Sequence, residues 1–71
     1  MVEVFKTNIR TKKKSEMLLL ILCEVFPSHK INFDLEDCDK ILRIETAKNI
    51  SQNVITLMNR QGFFCEELQD E

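Results

Sequence analysis

The residues able to do chemistry in this 71-residue chain are few: Cys23, Cys38, Cys65, His29 and a run of acids between Asp34 and Asp39. Thiols and imidazoles are the ligands that Cu(I) and Zn(II) select, and a thiolate is also a nucleophile. The spacing argues against both uses. The cysteines stand 15 and 27 residues apart, with no Cys-x-x-Cys pair and no second His to complete a zinc set. Three is also an odd count and no disulfide framework, which suits a reducing cytoplasm where free Cys serves as a small apolar residue. Asp34, Glu36, Asp37 and Asp39 lack the Gly and the spacing of a calcium loop and read as a solvated turn. There is no Ser-His-Asp or Cys-His arrangement and no Gly-rich phosphate loop. The expectation is a non-enzymatic chain without a cofactor.

Charge supplies the second candidate. The net value of −2 hides an asymmetry: residues 1–31 hold six cations against three acids, and residues 32–71 hold four against nine. Four of the cations, Arg10, Lys12, Lys13 and Lys14, fall within five positions. No aromatic is interleaved with them, so a nucleic-acid surface built on stacking is not expected. Two readings of the cluster remain. One is an anion or acidic-partner site at a helix N-terminus, where free amides and the helix dipole already favour negative charge. The plainer one is a solvated loop and first turn.

Those residues must be positioned by a small fold. A chain of this length makes one domain and buries only about 60% of its unfolded surface, leaving little apolar content for a deep pocket. Residues 2–7 alternate β-branched and aromatic residues with polar ones, which predicts a strand. Thr11 can cap a helix over residues 12–26, whose wheel puts Leu18, Ile21, Leu22 and Val25 on one face with Met17 beside them. Leu20 falls on the opposite, polar side, and Leu19 and Cys23 at the margin, so the helix is more apolar than one core contact requires. A self- or partner-association surface would use that excess. Pro27 ends the helix.

Residues 30–35 alternate cleanly, with Ile31, Phe33 and Leu35 one way and Lys30, Asn32 and Asp34 the other. A polar turn over residues 36–39 leads to a hairpin partner at residues 40–45, where Leu42 and Ile44 share a face. Ser51 is the expected N-cap of a second helix carrying Val54, Ile55, Leu57 and Met58, with Ile50 placed to staple against Ile55. Gly62, the one glycine, ends it at C′. A last strand covers residues 63–68, and Gln69-Asp70-Glu71 is an acidic tail. The order β-α-β-β-α-β, with right-handed crossovers, predicts an α+β ferredoxin-like sandwich: a four-stranded antiparallel sheet with both helices on one face. In it Cys38 and Cys65 share an end with the first loop, so a relocated two-thiol site is geometrically conceivable, although Cys65 is expected to point inward.

Lys12-Lys13-Lys14 ahead of Met17–Leu22 and Cys23 has the outline of a lipoprotein leader. The apolar stretch before Cys23 is only six residues long, and Leu22 stands where cleavage needs a small residue. The run from Met17 to Cys23 is also far short of the ~20 residues that span a bilayer. The sequence is expected to be soluble and cytoplasmic, with no membrane or nucleic-acid partner.

Val2-Glu3-Val4, Val25-Phe26-Pro27, Phe33-Asp34-Leu35-Glu36 and the stretch from Ile50 to Gly62-Phe63 resemble the small heavy-metal-associated domains of copper chaperones and metal-transporting ATPases. The resemblance covers almost the whole chain and implies the same ferredoxin-like fold. That family holds its metal on a Met-x-Cys-x-x-Cys loop opening the first helix. Here Ile9 can stand where the Met does, while Thr11 and Lys14 stand where the two Cys would, or Lys12 and Ser15 if the gap falls one residue later. Soft thiolates are gone and an ammonium repels a cation, so metal transport does not carry over.

The reading is therefore a protein-interaction or regulatory module of that fold without its metal site. Arg10, Lys12, Lys13, Lys14, Leu19 and Leu20 are the candidate contacts for a protein partner or a second copy. The alternative is a metal-binding or chaperone protein using Cys38 and Cys65, or a metal shared across a dimer. A third is a small-ligand sensor of the same fold.

Overall fold

Burial alternates along Val2–Thr7, which forms β1: Glu3, Phe5 and Thr7 are buried, whereas Val2 and Lys6 are exposed. The computed structural model describes residues 2–68; the expected acidic tail at residues 69–71 lies outside them. β2 (Lys30–Asp34) and β3 (Ile41–Glu45) form the expected hairpin, setting Ile31 opposite Ile44 and Phe33 opposite Leu42 on the inner face. Lys40 does not belong to the strand. It sits before it in the left-handed region at φ 51°, closing the turn with its amide on the Asp37 carbonyl (3.0 Å) and its Nζ on the Leu35 carbonyl (2.9 Å).

β4 (Cys65–Leu68) is shorter than residues 63–68, because Phe63 and Phe64 bond elsewhere. The Phe63 amide donates to the Met58 carbonyl and the Phe64 amide to the Asn8 side chain, both at 3.0 Å. The sheet order is β2-β3-β1-β4 with every neighbouring pair antiparallel. This is the four-stranded sheet and element order of an α+β ferredoxin-like fold.

Thr11 caps α1 (Lys12–Val25) as the sequence predicts, its hydroxyl accepting from the Lys14 amide at 3.2 Å. The buried stripe differs from the expected one. Leu18 and Leu22 are fully buried, but Met17 and Val25 are 47% and 52% exposed, and Ser15 and Phe26 complete the stripe instead. Ser15 can be buried because its hydroxyl donates to the Lys12 carbonyl at 2.7 Å, leaving no unpaired polar group.

α2 (Ser51–Arg60) corrects the other capping assignment. Ile50, not Ser51, occupies the N-cap position, and no side chain of its own caps the helix. Asn49 Oδ1 accepts from the Ser51 amide and hydroxyl, and Glu3 Oε1 accepts from the Ile50 amide. At the far end Gly62 adopts φ +87°, and two bonds, Gly62 amide to Asn59 carbonyl and Phe63 amide to Met58 carbonyl, form a Schellman motif.

Leu18 and Leu22 of α1 and Val54 and Met58 of α2 join Phe5, Ile31, Leu42, Ile44 and Cys65 in one apolar cluster, so both helices cover the same sheet face. Ile50 belongs to it, with Ile55 packed against it. Among the described residues no helix is long and apolar enough to cross a membrane.

Candidate functional site

The loop over residues 8–11 is held by its neighbours rather than left open. Thr7 Oγ1 donates to the Lys40 carbonyl at 2.6 Å and accepts from the Ile9 amide at 3.2 Å. Ile9 is fully buried, so the position where the resembled family carries its Met is part of the core. Thr11 spends its hydroxyl on the helix cap. Lys14 Nζ lies over the Phe63 ring, 5.9 Å from its centroid. In the shifted alignment, Lys12 is exposed and Ser15 is buried on its own hydrogen bond. Neither placement leaves two soft donors facing one point.

Arg10, Lys12, Lys13 and Lys14 are all exposed. The first turn of α1 contains no acid to offset them. Among the described residues the ion pair is Lys6 Nζ to Asp39 Oδ1 at 3.7 Å, on two half-exposed side chains, where such a contact contributes little. The cationic cluster therefore faces solvent, and none of its four side chains forms an ion pair among the described residues.

Cys38 and Cys65 do come to the same end of the sheet: Cys65 pairs with Thr7, whose amide donates to the Asp39 carbonyl at 3.2 Å. Their chemistry differs. Cys38 is exposed, and its Sγ lies within 4.8 Å of carboxylate oxygens of Asp37 and Asp39. Asp37 is already occupied in the turn, accepting from the Asp39 amide at 2.9 Å. Cys65 is buried as expected, and loss of solvation pushes its thiol up from 9.0 to about 12. A thiol held protonated is a poor metal ligand at neutral pH.

On α1, Leu20 is 74% exposed, while Leu19 is half-buried against the core and Cys23 is exposed. Sequence reasoning missed three further residues. Glu3 is a buried carboxylate on a strand whose alternation alone does not reveal its partner. Ile41 is buried on the sheet face away from the helices, in register with Lys6. The His29 and Phe26 rings meet edge to face, with centroids 5.8 Å apart, and His29 Nδ1 is buried with no hydrogen-bond partner among the described residues; the turn composition around Pro27 gave no sign of that packing.

No protein-family model matches the chain, and no curated protein or solved structure matches it either.

Proposed function

We propose that this domain is a non-enzymatic interaction module, a diverged relative of heavy-metal-associated domains that has lost the metal site and engages an acidic protein surface. The observation that carries the reading is the exposed cluster Arg10, Lys12, Lys13 and Lys14 at the start of α1, none of which forms an ion pair among the described residues. Backbone amides and the helix dipole at that end add to its attraction for carboxylates. Leu20, exposed on the outer side of the same helix, offers an apolar contact beside the charged one. The arrangement gives fast, salt-sensitive association with a partner of opposite sign.

The alternative of a thiol metal site at Cys38 and Cys65 draws support from their shared end of the sheet. It is weakened by the protonated state of Cys65. Titrating the isotope-labelled domain with an oligo-glutamate peptide tests the leading reading by amide shifts. Shifts centred on residues 10–14 that vanish as salt rises support it. No shifts at low salt, or salt-independent binding elsewhere, would overturn it.

A further inference from the structure

An edge strand presents unpaired backbone amides and carbonyls to any second chain, and folds commonly blunt such edges with charge. The two edges of this sheet, β2 and β4, are treated differently. β4 carries Glu66 and Glu67 in succession, so an antiparallel copy of itself sets acid against acid. β2 reads Lys30-Ile31-Asn32-Phe33-Asp34, and it is complementary to itself when reversed. A second copy centred on Asn32 sets Lys30 against Asp34, Ile31 against Phe33, and Asn32 against Asn32.

The faces agree as well as the charges. Lys30, Asn32 and Asp34 are exposed, and alternation along the strand puts them on the side away from the helices. Neither Lys30 nor Asp34 takes part in an ion pair among the described residues. Ile31 and Phe33 lie on the helix side, where half-buried Phe33 opens onto a groove shared with Leu19 and Lys12 of α1. A slip of one residue would turn the apolar pair to the wrong face, and a slip of two would set Lys30 against Asn32 or against Glu36 beyond the strand end, leaving no charge pair within β2.

We infer that a second copy of this chain docks on β2, pairing Lys30–Asp34 antiparallel with Lys30–Asp34 of the other copy about a two-fold axis at Asn32. The two sheets then run as one, and the pairing closes on itself at two copies because each copy has used its one complementary edge. The groove beside this edge includes Lys12 of the cationic cluster, but the pairing itself is made by β2 alone, so charge reversals at Lys30 and Asp34 test the dimer separately from the acidic-partner reading.

Sedimentation equilibrium on the full chain tests this, with circular dichroism confirming that each variant is folded. Lys30→Asp and Asp34→Lys each set like charges together twice per dimer and should weaken association about tenfold or more. The double variant Lys30→Asp/Asp34→Lys restores both pairs and should return to within about threefold of the parent. In a Cys23→Ser/Cys38→Ser background, Asn32→Cys should cross-link copies on oxidation, because directly opposed Cβ atoms fall near disulfide range, whereas Glu66→Cys should not. A monomer at every concentration, assemblies larger than two, or a dimer indifferent to the reversals would overturn the proposal. So would a folded double variant that fails to recover, or an Asn32→Cys chain that does not cross-link.

Discussion

The carboxylate of Glu3 on β1 accepts a hydrogen bond from the amide of Ile50 at 3.1 Å, joining the first strand to the start of α2 across 47 residues of chain. That amide is one of the donors a helix start leaves unpaired, and the acceptor is a carboxylate placed at the positive end of the helix dipole. Glu3 is itself buried, so the bond also accounts for a polar group inside the fold. Glu3→Ala is expected to lower stability by about 1–3 kcal/mol, since it leaves the buried amide without its acceptor. Glu3→Gln keeps an oxygen in place and loses less. Urea midpoints measure the difference, and an alanine variant as stable as the parent would show that the contact holds nothing.

Gly62 carries a separate, purely backbone cost. At φ +87° it ends α2, and a Cβ built there meets nothing within 4 Å. Gly62→Ala therefore adds no clash, and its whole effect is the left-handed strain, about 1–2 kcal/mol. Gly62→Asn should lose less, because Asn tolerates that region better. Thermal melts of the two variants give the order, and equal stability of Ala and Gly would show that the Schellman turn relaxes freely.

These two helix ends show what the sequence could and could not reveal. Gly62 was legible because a lone glycine after a periodic apolar run has one common use. The cap at the other end was not, because its acceptor comes from β1 and no local pattern connects positions 3 and 50. The phase of α1 failed for a different reason. With Met17, Leu18, Leu19, Leu20, Ile21 and Leu22 consecutive, periodicity does not decide which apolar residues turn inward. The sheet chose the stripe through Ser15, Leu18, Leu22 and Phe26, leaving Met17 and Val25 outside. The strands were legible because residues alternate where one face is covered. The candidate cations were legible as exposed charges. The contact of Lys14 with Phe63 was not, since it needs the corner after α2 to meet the start of α1.

Burial of Cys65 makes stability fall at alkaline pH. Its thiol is raised to about 12 in the fold from 9.0, so between those values the unfolded chain releases a proton that the folded chain keeps. The contribution is fully present below pH 9 and is lost as pH rises toward 12, by up to about 1.4 kcal/mol per pH unit. Comparing the parent with Cys65→Ala in urea from pH 8 to 11 isolates this group from the lysines. A parallel decline in both would sink the assignment. The same burial predicts that a thiol reagent at pH 8 labels Cys23 and Cys38 quickly and Cys65 only on unfolding. Added Zn(II) should leave that labelling pattern unchanged, and protection of Cys38 and Cys65 together would revive the metal reading.

Lys14 differs from its neighbours Lys12 and Lys13 in having an aromatic face to rest on. Its ammonium stands 5.9 Å from the centre of the Phe63 ring, at the outer reach of a cation–π contact. A cation in the first turn of a helix opposes the dipole, so a ring that attracts it offsets part of that cost. In a double-mutant cycle, Lys14→Met and Phe63→Leu should be coupled by about 0.5–1 kcal/mol, with Lys13→Met uncoupled to Phe63. The coupling should persist at high salt better than an exposed ion pair would. It also divides the cationic cluster: Lys14 is held toward the end of the fold where α2 meets β4, whereas Arg10, Lys12 and Lys13 make no such ring contact among the described residues. Lys13→Met should then reduce binding of the oligo-glutamate peptide more than Lys14→Met does. Equal losses, together with no coupling to Phe63, would show that Lys14 is a solvated charge like the others.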